Sequence, residues 1–159
     1  MVDVTIALAV HVLAVVLWIG GVAMVTTVLL PTLRQLKSAE ERIVLFERIE
    51  HRFAWQARGT TLLAGASGFY MVYRLDLWSK FLTAEYWWLD AMVLVWLMFT
   101  LMLFVIEPLF LHREFPSIAR RAPEKVLLRV QRFHWILLML SLATIFGAVA
   151  GSHGLSLFR

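Results

Sequence analysis

The stretch from Val4 to Leu30 contains no Asp, Glu, Lys or Arg, and His11 is its only strongly polar side chain. A transmembrane helix needs about 20 consecutive apolar residues, so we expect this stretch to cross a bilayer with some tilt. It ends at Pro31, and basic residues follow. Because no basic segment precedes the stretch and no small-x-small cleavage motif ends it, we interpret it as a retained first span rather than a signal peptide.

The composition supports a membrane protein. Of the 159 residues, 61% are hydrophobic and 16% are charged, whereas soluble domains are about half apolar and about a quarter charged. The absence of cysteine excludes disulfides, thiolate zinc sites and iron–sulfur clusters. The net charge of +4 in so apolar a chain indicates membrane topology rather than nucleic-acid binding.

Apolar periodicity and helix-start signals divide the chain into four helices. Ser38 and Glu41 form a capping box that opens a helix running into the second span. Pro123 is a favourable first-turn residue and begins the helix that runs into the fourth span. We predict an all-α fold, an integral membrane four-helix bundle whose second and fourth helices extend into the cytoplasm. The predicted spans are residues 4–30, 53–73, 87–111 and 133–152.

Basic residues are distributed unevenly between the two sides of these spans. Twelve Lys and Arg lie in the connections between spans one and two and between spans three and four, whereas three lie on the other side. Cytoplasmic loops carry an excess of basic residues. We therefore expect both basic connections in the cytoplasm and both termini on the outer side of a bacterial-type inner membrane.

Histidines suggest cofactor sites at two levels. At 1.5 Å per residue, His11 lies about 28 Å from the inner end of the first span, and His153 lies about 28 Å beyond His134. We therefore expect His11 and His153 to share one depth near the outer face. His51, His112 and His134 fall at the cytoplasmic ends of their spans. Histidines from different helices can hold a haem iron or a copper ion, so His51 and His134 are candidates for an inner site.

Three charged side chains lie inside the predicted spans. Arg58 and Glu107 fall at similar depth, so they could form an ion pair. Alternatively, Arg58 could bind a haem propionate, because guanidinium binds carboxylates bidentately. Asp90, near the outer end of the third span, could be a metal ligand, a proton carrier or an interfacial cap. Pro108 is expected to kink the end of the third span.

Small residues spaced four apart favour close helix packing. Ala64 and Gly68 form such a pair in the second span, and Gly147 and Gly151 form one in the fourth. Contact within one bundle, a homodimer, and room for a flat cofactor are all consistent with these pairs. The residues expected to leave room beside a macrocycle are Gly20, Gly21 and Gly151.

The first-span pattern H-x6-W-x-[AG]-G, carried by His11, Trp18, Gly20 and Gly21, is followed by Leu30-Pro31 and a basic segment before span two. This outline resembles the small CopD-like membrane proteins, which are related to the membrane domain of copper-resistance protein D. It is more distantly similar to the HemJ-type protoporphyrinogen oxidases. The first resemblance implies copper uptake or export. The second implies haem b, with His11 as a ligand candidate.

We therefore expect a b-type haem protein that transfers electrons between a quinone or protein partner and a haem near the outer face, with His11 and His153 as axial ligands. One alternative is a CopD-like copper transport or copper-binding protein that uses His11, Asp90 and His153. Another is an accessory structural subunit of a membrane complex. Because the sequence has no nucleophile–base arrangement, phosphate loop or zinc-protease motif, an ordinary hydrolase is not expected.

Overall fold

The computed structural model describes residues 1–36, 38–109 and 123–154, and within these ranges the chain is helical with no strand. This confirms the predicted all-α class. His112 and the end of the predicted third span lie outside the described residues. The helices are α1 (Val2–Met24), a first π segment (Val25–Leu29), α2 (Leu30–Gln35), α3 (Ala39–Arg74), α4 (Trp87–Leu101), a second π segment (Met102–Ile106) and α5 (Pro123–Ser152).

Three helical stretches are long and apolar enough to cross a membrane, namely Val2–Gln35, Ala84–Leu109 and Val126–Ser152. They confirm the prediction of a membrane protein with transmembrane helices and indicate contact with lipid. The predicted second span, in α3, is not among them. Its apolar residues are mixed with Arg58 and with small polar side chains such as Thr60, Thr61 and Ser67.

Two prolines are accommodated by a local widening of the helix. Each π segment ends two residues before a proline, at Pro31 and at Pro108. A proline has no N–H and clashes with the carbonyl four residues earlier. The preceding amide instead bonds five residues back, from Leu30 to Val25 and from Glu107 to Met102. The first helical rod therefore continues past Pro31 to Gln35, and the disturbance expected at Pro108 takes the form of a π turn.

Helices α1 and α3 lie antiparallel along each other. Near the C-terminal end of α1, Gly21 leaves space that the Phe53 ring fills. At the opposite end, Arg74 Nε donates to Asp3 Oδ2 at 2.7 Å. Because these contacts join the two ends, the part of α3 from Phe53 to Arg74 runs beside the part of α1 from Gly21 to Asp3.

Aromatic side chains of α4 fill the space above glycines on the neighbouring helices. A Cβ added at Gly65 of α3 would lie 2.5 Å from Trp96 Nε1, and that indole N–H donates to the Thr61 carbonyl at 2.9 Å. On α5, Gly147 and Gly151 are covered by Trp87 and Trp88 in the same manner. The small residues of the fourth span therefore serve helix–helix contact within the chain.

Two apolar cores hold the helices together. The first contains Trp18, which makes an edge-to-face contact with Phe99 at 4.8 Å between ring centroids. The second contains Leu30 and Leu33 of α2 with Phe46 of α3 and a leucine of α5. Leu30 and Leu33 are each 1% exposed. The last part of the first apolar stretch is therefore buried by protein as well as by any surrounding lipid.

Candidate functional site

His11 is held between two helices by a bond that fixes its tautomer. Its Nδ1 lies 2.9 Å from the Ala64 carbonyl oxygen and 3.2 Å from Ser67 Oγ. Gly68 allows the close approach, since a Cβ there would lie 3.2 Å from His11 Cε1. A carbonyl only accepts, so Nδ1 carries the hydrogen and Nε2 of the neutral imidazole keeps its lone pair. Metal-binding histidines almost always donate their other ring N–H in this manner.

His134 and His153 also direct Nδ1 at a backbone carbonyl, but in each case the carbonyl belongs to the same helix as the histidine. His134 Nδ1 lies 2.9 Å from the Val130 carbonyl, and His153 Nδ1 lies 2.8 Å from the Val149 carbonyl. Each carbonyl belongs to the preceding turn of the same helix. An exposed histidine at a helix end can make this bond without any ligand, so the orientation of His153 is weaker evidence for a site than the interhelical bond of His11.

The helix contacts place His11 and His153 near different tryptophans of α4. His11 packs against the segment of α3 that also receives the Trp96 indole. His153 directly follows the turn of α5 that receives the Trp88 indole. Trp88 and Trp96 are two turns apart on α4, which corresponds to about 12 Å along the helix.

The equal depth of His11 and His153 that the sequence suggested therefore stays a prediction. That expectation counted residues from Leu30 on one helix and from His134 on another, as though these two residues marked the same level. Their relative level depends on how the helices slide along each other. The contacts between helices decide this register, and counting along separate helices does not.

Arg58 of α3 and Glu107, directly after the second π segment, form an ion pair. Arg58 Nη2 donates to Glu107 Oε2, and Glu107 is buried with 8% of its side chain exposed. Arg58 Nε also donates to the Leu103 carbonyl at 3.1 Å. In a π-helix each carbonyl accepts from the N–H five residues later, and for Leu103 that residue is Pro108, which has no N–H. The pairing considered from the sequence is thus present, and the guanidinium already has two acceptors.

Glu50 is a partly buried carboxyl group that the sequence analysis missed. Burial, and next the carboxylate of Glu107, raises the pKa of Glu50 to about 7, although Arg58 opposes this. Glu50 stands four residues after Phe46 and four before Ala54, both of which are buried. Its place on this buried stripe of α3 is the signal that could have identified it.

Asp90 holds the loop that precedes α4. Its two carboxylate oxygens lie 3.1 and 3.3 Å from the Leu82 backbone nitrogen, which donates to them. Leu82 has a φ of 59°, a conformation that costs energy for a non-glycine residue. Asp90 therefore stabilises a strained loop.

His51 of α3, a candidate for an inner site, is exposed.

The described residues contain no group of three or more His, Asp or Glu side chains placed to hold one metal ion. The three-ligand copper set of His11, Asp90 and His153 is therefore not assembled in the described structure. This agrees with the contact of Asp90 to its own loop.

Two of the three glycines expected to make room for a macrocycle are already covered. Phe53 lies against Gly21, and Trp88 lies against Gly151. Gly20 differs, because a Cβ added there would have no atom within 4 Å. Space beside the helices is therefore available at Gly20 and not at the other two positions.

Two buried polar atoms on the helix faces that meet at His11 have no hydrogen-bond partner within the described structure, namely Trp18 Nε1 and Thr61 Oγ1, each about 10 Å along its helix from the His11 contact. Trp18 is seven residues after His11, which places both on one face of α1. Thr61 is seven residues before Gly68, on the face of α3 that meets His11. Buried polar groups are usually satisfied, so an indole N–H and a hydroxyl are available to a bound group.

Comparisons with known proteins found no family model, no curated protein and no solved structure that matches this chain. The fold and the site define an all-helical membrane protein with one histidine held across two helices. Its resemblance to CopD-like and HemJ-type proteins in the first span stays a prediction.

Proposed function

We propose that α3 also crosses the membrane, which gives four spans packed as a bundle. The support is its register. From Phe53 to Arg74, α3 runs beside α1, which is apolar enough to span. Arg52 and Arg74, both exposed, are 22 residues apart on this one helix, or about 33 Å. This separation matches a hydrocarbon layer of about 30 Å.

The charge distribution supports an orientation for these four spans. With Arg58 counted in the second span, eleven basic residues lie on one side and three on the other, and the positive-inside rule puts both termini outside and both basic connections in the cytoplasm. Arg58, the basic residue within the second span, is neutralised by Glu107. A paired charge inside a span costs less than an isolated one. The corresponding location is the inner membrane of a bacterial-type cell.

Within this topology we propose a b-type haem protein that carries electrons in the membrane, with His11 as an iron ligand. The observation that carries the proposal is the bond from His11 Nδ1–H to the Ala64 carbonyl, which leaves Nε2 free to bind a metal. Bound haem would supply one-electron redox chemistry. The electron donor or acceptor would be a membrane quinone or a protein partner.

The residues around His11 fit this role. Ala64 and Ser67 orient the imidazole from the opposite helix. The unpartnered Trp18 N–H and Thr61 hydroxyl can each donate to an acceptor on the cofactor, such as a propionate. These two donors suit that task better than Arg58, whose guanidinium already binds Glu107 and the Leu103 carbonyl.

An optical spectrum tests the proposal. The protein is produced in cells supplied with a haem precursor, purified in detergent, and recorded in the oxidised and reduced states. We expect a Soret band, and split α and β bands after reduction. His11→Ala should lose most of the bound haem. His153→Ala is the matched control and should keep more of it, because His153 is exposed and its Nδ1 bonds within its own helix.

Two further measurements keep the test decisive. The melting temperature of His11→Ala shows whether loss of haem reflects unfolding, and His11→Gln preserves more of the packing against Gly68. Full haem retention in a folded His11→Ala protein would contradict the assignment. Elemental analysis covers the copper alternative, since stoichiometric copper without haem, lost on His11→Ala, would replace the haem proposal.

A further inference from the structure

A groove runs along the outside of α1 and α3, apart from the site around His11. Its volume is about 410 Å³. On α1 it is lined by Val16, Leu17, Gly20 and Met24, of which the first two are 60% and 53% exposed. The groove spans two turns of α1, or about 12 Å, and opens sideways to the surroundings of the helices.

Glycine at position 20 creates the depth of this groove. A Cβ at Gly20 would have no atom within 4 Å, so the space above it is open. The neighbouring Gly21 is covered by Phe53, which forms part of the floor. The result is an open apolar groove between two packed helices.

Two polar residues of α3, Arg52 and Gln56, line the groove one turn apart, with Arg52 nearer its Met24 end. Gln56 Nε2 donates to the Leu17 carbonyl at 3.5 Å. Arg52 is exposed, and in the described part of the chain no carboxylate forms an ion pair with it. The groove therefore combines apolar walls with a guanidinium that forms no ion pair in the described part of the chain.

The position of Arg52 along α3 matches the depth of a lipid headgroup. It lies about 33 Å from Arg74 on the same helix, which is close to the hydrocarbon thickness of about 30 Å. Arg52 therefore lies at the membrane boundary on the more basic side of the protein. The groove extends from Arg52 toward the bilayer centre, in the direction of an acyl chain.

We propose that this groove binds an anionic phospholipid, with one acyl chain over Gly20 and the phosphate on the Arg52 guanidinium. Guanidinium binds phosphate bidentately, and the exposed apolar walls match an acyl chain. Charge complementarity selects an anionic lipid over a zwitterionic one. The proposal does not depend on haem, since none of the groove residues contacts His11.

The test measures lipid that stays bound when the protein is transferred from nanodiscs to the gas phase for native mass spectrometry. The nanodiscs contain equal amounts of phosphatidylglycerol and phosphatidylcholine with identical acyl chains. We expect the wild-type protein to retain phosphatidylglycerol about fivefold more than phosphatidylcholine, the selectivity that one basic residue near an anionic surface supplies.

Two pairs of variants separate the headgroup contact from the apolar groove. Arg52→Gln should reduce the preference to about onefold, whereas Arg48→Gln, on the same helix and also exposed, should keep it. Gly20→Leu fills the groove and should reduce retention of both lipids. Gly59→Leu is its control, because a Cβ at Gly59 also has no atom within 4 Å and lies outside the groove.

Several outcomes would overturn the proposal. These are equal retention of the two lipids by the wild-type protein, an unchanged preference in Arg52→Gln, and equal losses in Gly20→Leu and Gly59→Leu. Displacement of the bound lipid by an equimolar short-chain quinone would assign the groove to a quinone instead. A dimer that Gly20→Leu dissociates would assign it to a second copy of the chain.

Discussion

Breaking the Arg58–Glu107 pair should destabilise the protein far more than breaking an exposed pair. Glu107 exposes 8% of its side chain and Arg58 exposes 20%, so removing one partner leaves the other charge poorly hydrated. Loss of one member of a buried pair typically costs about 3–5 kcal/mol. We expect Arg58→Met to fall in this range, because it leaves a buried carboxylate. Glu107→Gln should cost less, about 2 kcal/mol, because Arg58 keeps the Leu103 carbonyl and some water.

The measurement is reversible unfolding of the purified protein in mixed micelles, with a double-mutant cycle. Arg58→Met combined with Glu107→Leu should recover most of the loss, since replacing both charges by apolar groups is often close to neutral. Asp3→Asn, which breaks the exposed pair with Arg74, is the control and should give a much smaller shift. Equal losses of unfolding free energy in Arg58→Met and Asp3→Asn, or strictly additive losses in the double variant, would show that Arg58 and Glu107 do not act as a buried ion pair.

Two other predictions follow from glycine packing and from a carboxyl group. Gly65→Ala should lower the free energy of unfolding by about 1–3 kcal/mol, because the added Cβ meets the Trp96 indole. The control Gly59→Ala should be neutral or stabilising by up to about 1 kcal/mol. Equal melting temperatures of the two variants would contradict this prediction. Because the pKa of Glu50 is raised from 4.5 to about 7 in the folded protein, the folded state binds the extra proton. The contribution of Glu50 to the free energy of unfolding is therefore complete below about pH 4.5 and is lost as the pH rises through about 7. As the pH is raised from 5 to 8, the melting temperature should fall in the wild-type protein and change less in Glu50→Gln. Superimposable profiles of melting temperature against pH would exclude this role of Glu50.

Local signals in the sequence predicted the helices well. Ser38 Oγ accepts from the Glu41 backbone N–H at 3.3 Å, so the predicted N-terminal cap of α3 is confirmed. The fourth helix begins at Pro123, as predicted. These features depend on a few neighbouring residues, and for that reason they can be recognised in the sequence.

The continuation past Pro31 could not be predicted with the same rules. A proline usually ends or kinks a helix, but the first helical rod widens into a π segment and goes on. Apolar packing favours this solution, because Leu30 and Leu33 beyond the widened turn are buried in the second core. Tertiary contacts thus overrule a local preference.

The candidate site was predicted in part. His11 stood out because it is the one strongly polar residue of an apolar span, and the Arg58–Glu107 pairing was among the possibilities considered. The depth of His153 relative to His11 was not predictable from the sequence, because it depends on which tryptophan of α4 packs against which glycine of α3 and α5. Glu50 was missed because it lies among charged residues, and its partial burial results from packing between helices.

A reduced-minus-oxidised difference spectrum of the purified protein shows whether His11 binds haem. For protein produced in cells supplied with a haem precursor, we expect a Soret shift and split α and β bands, both lost in folded His11→Ala. A folded wild-type protein that is colourless after the same preparation would contradict haem binding by His11.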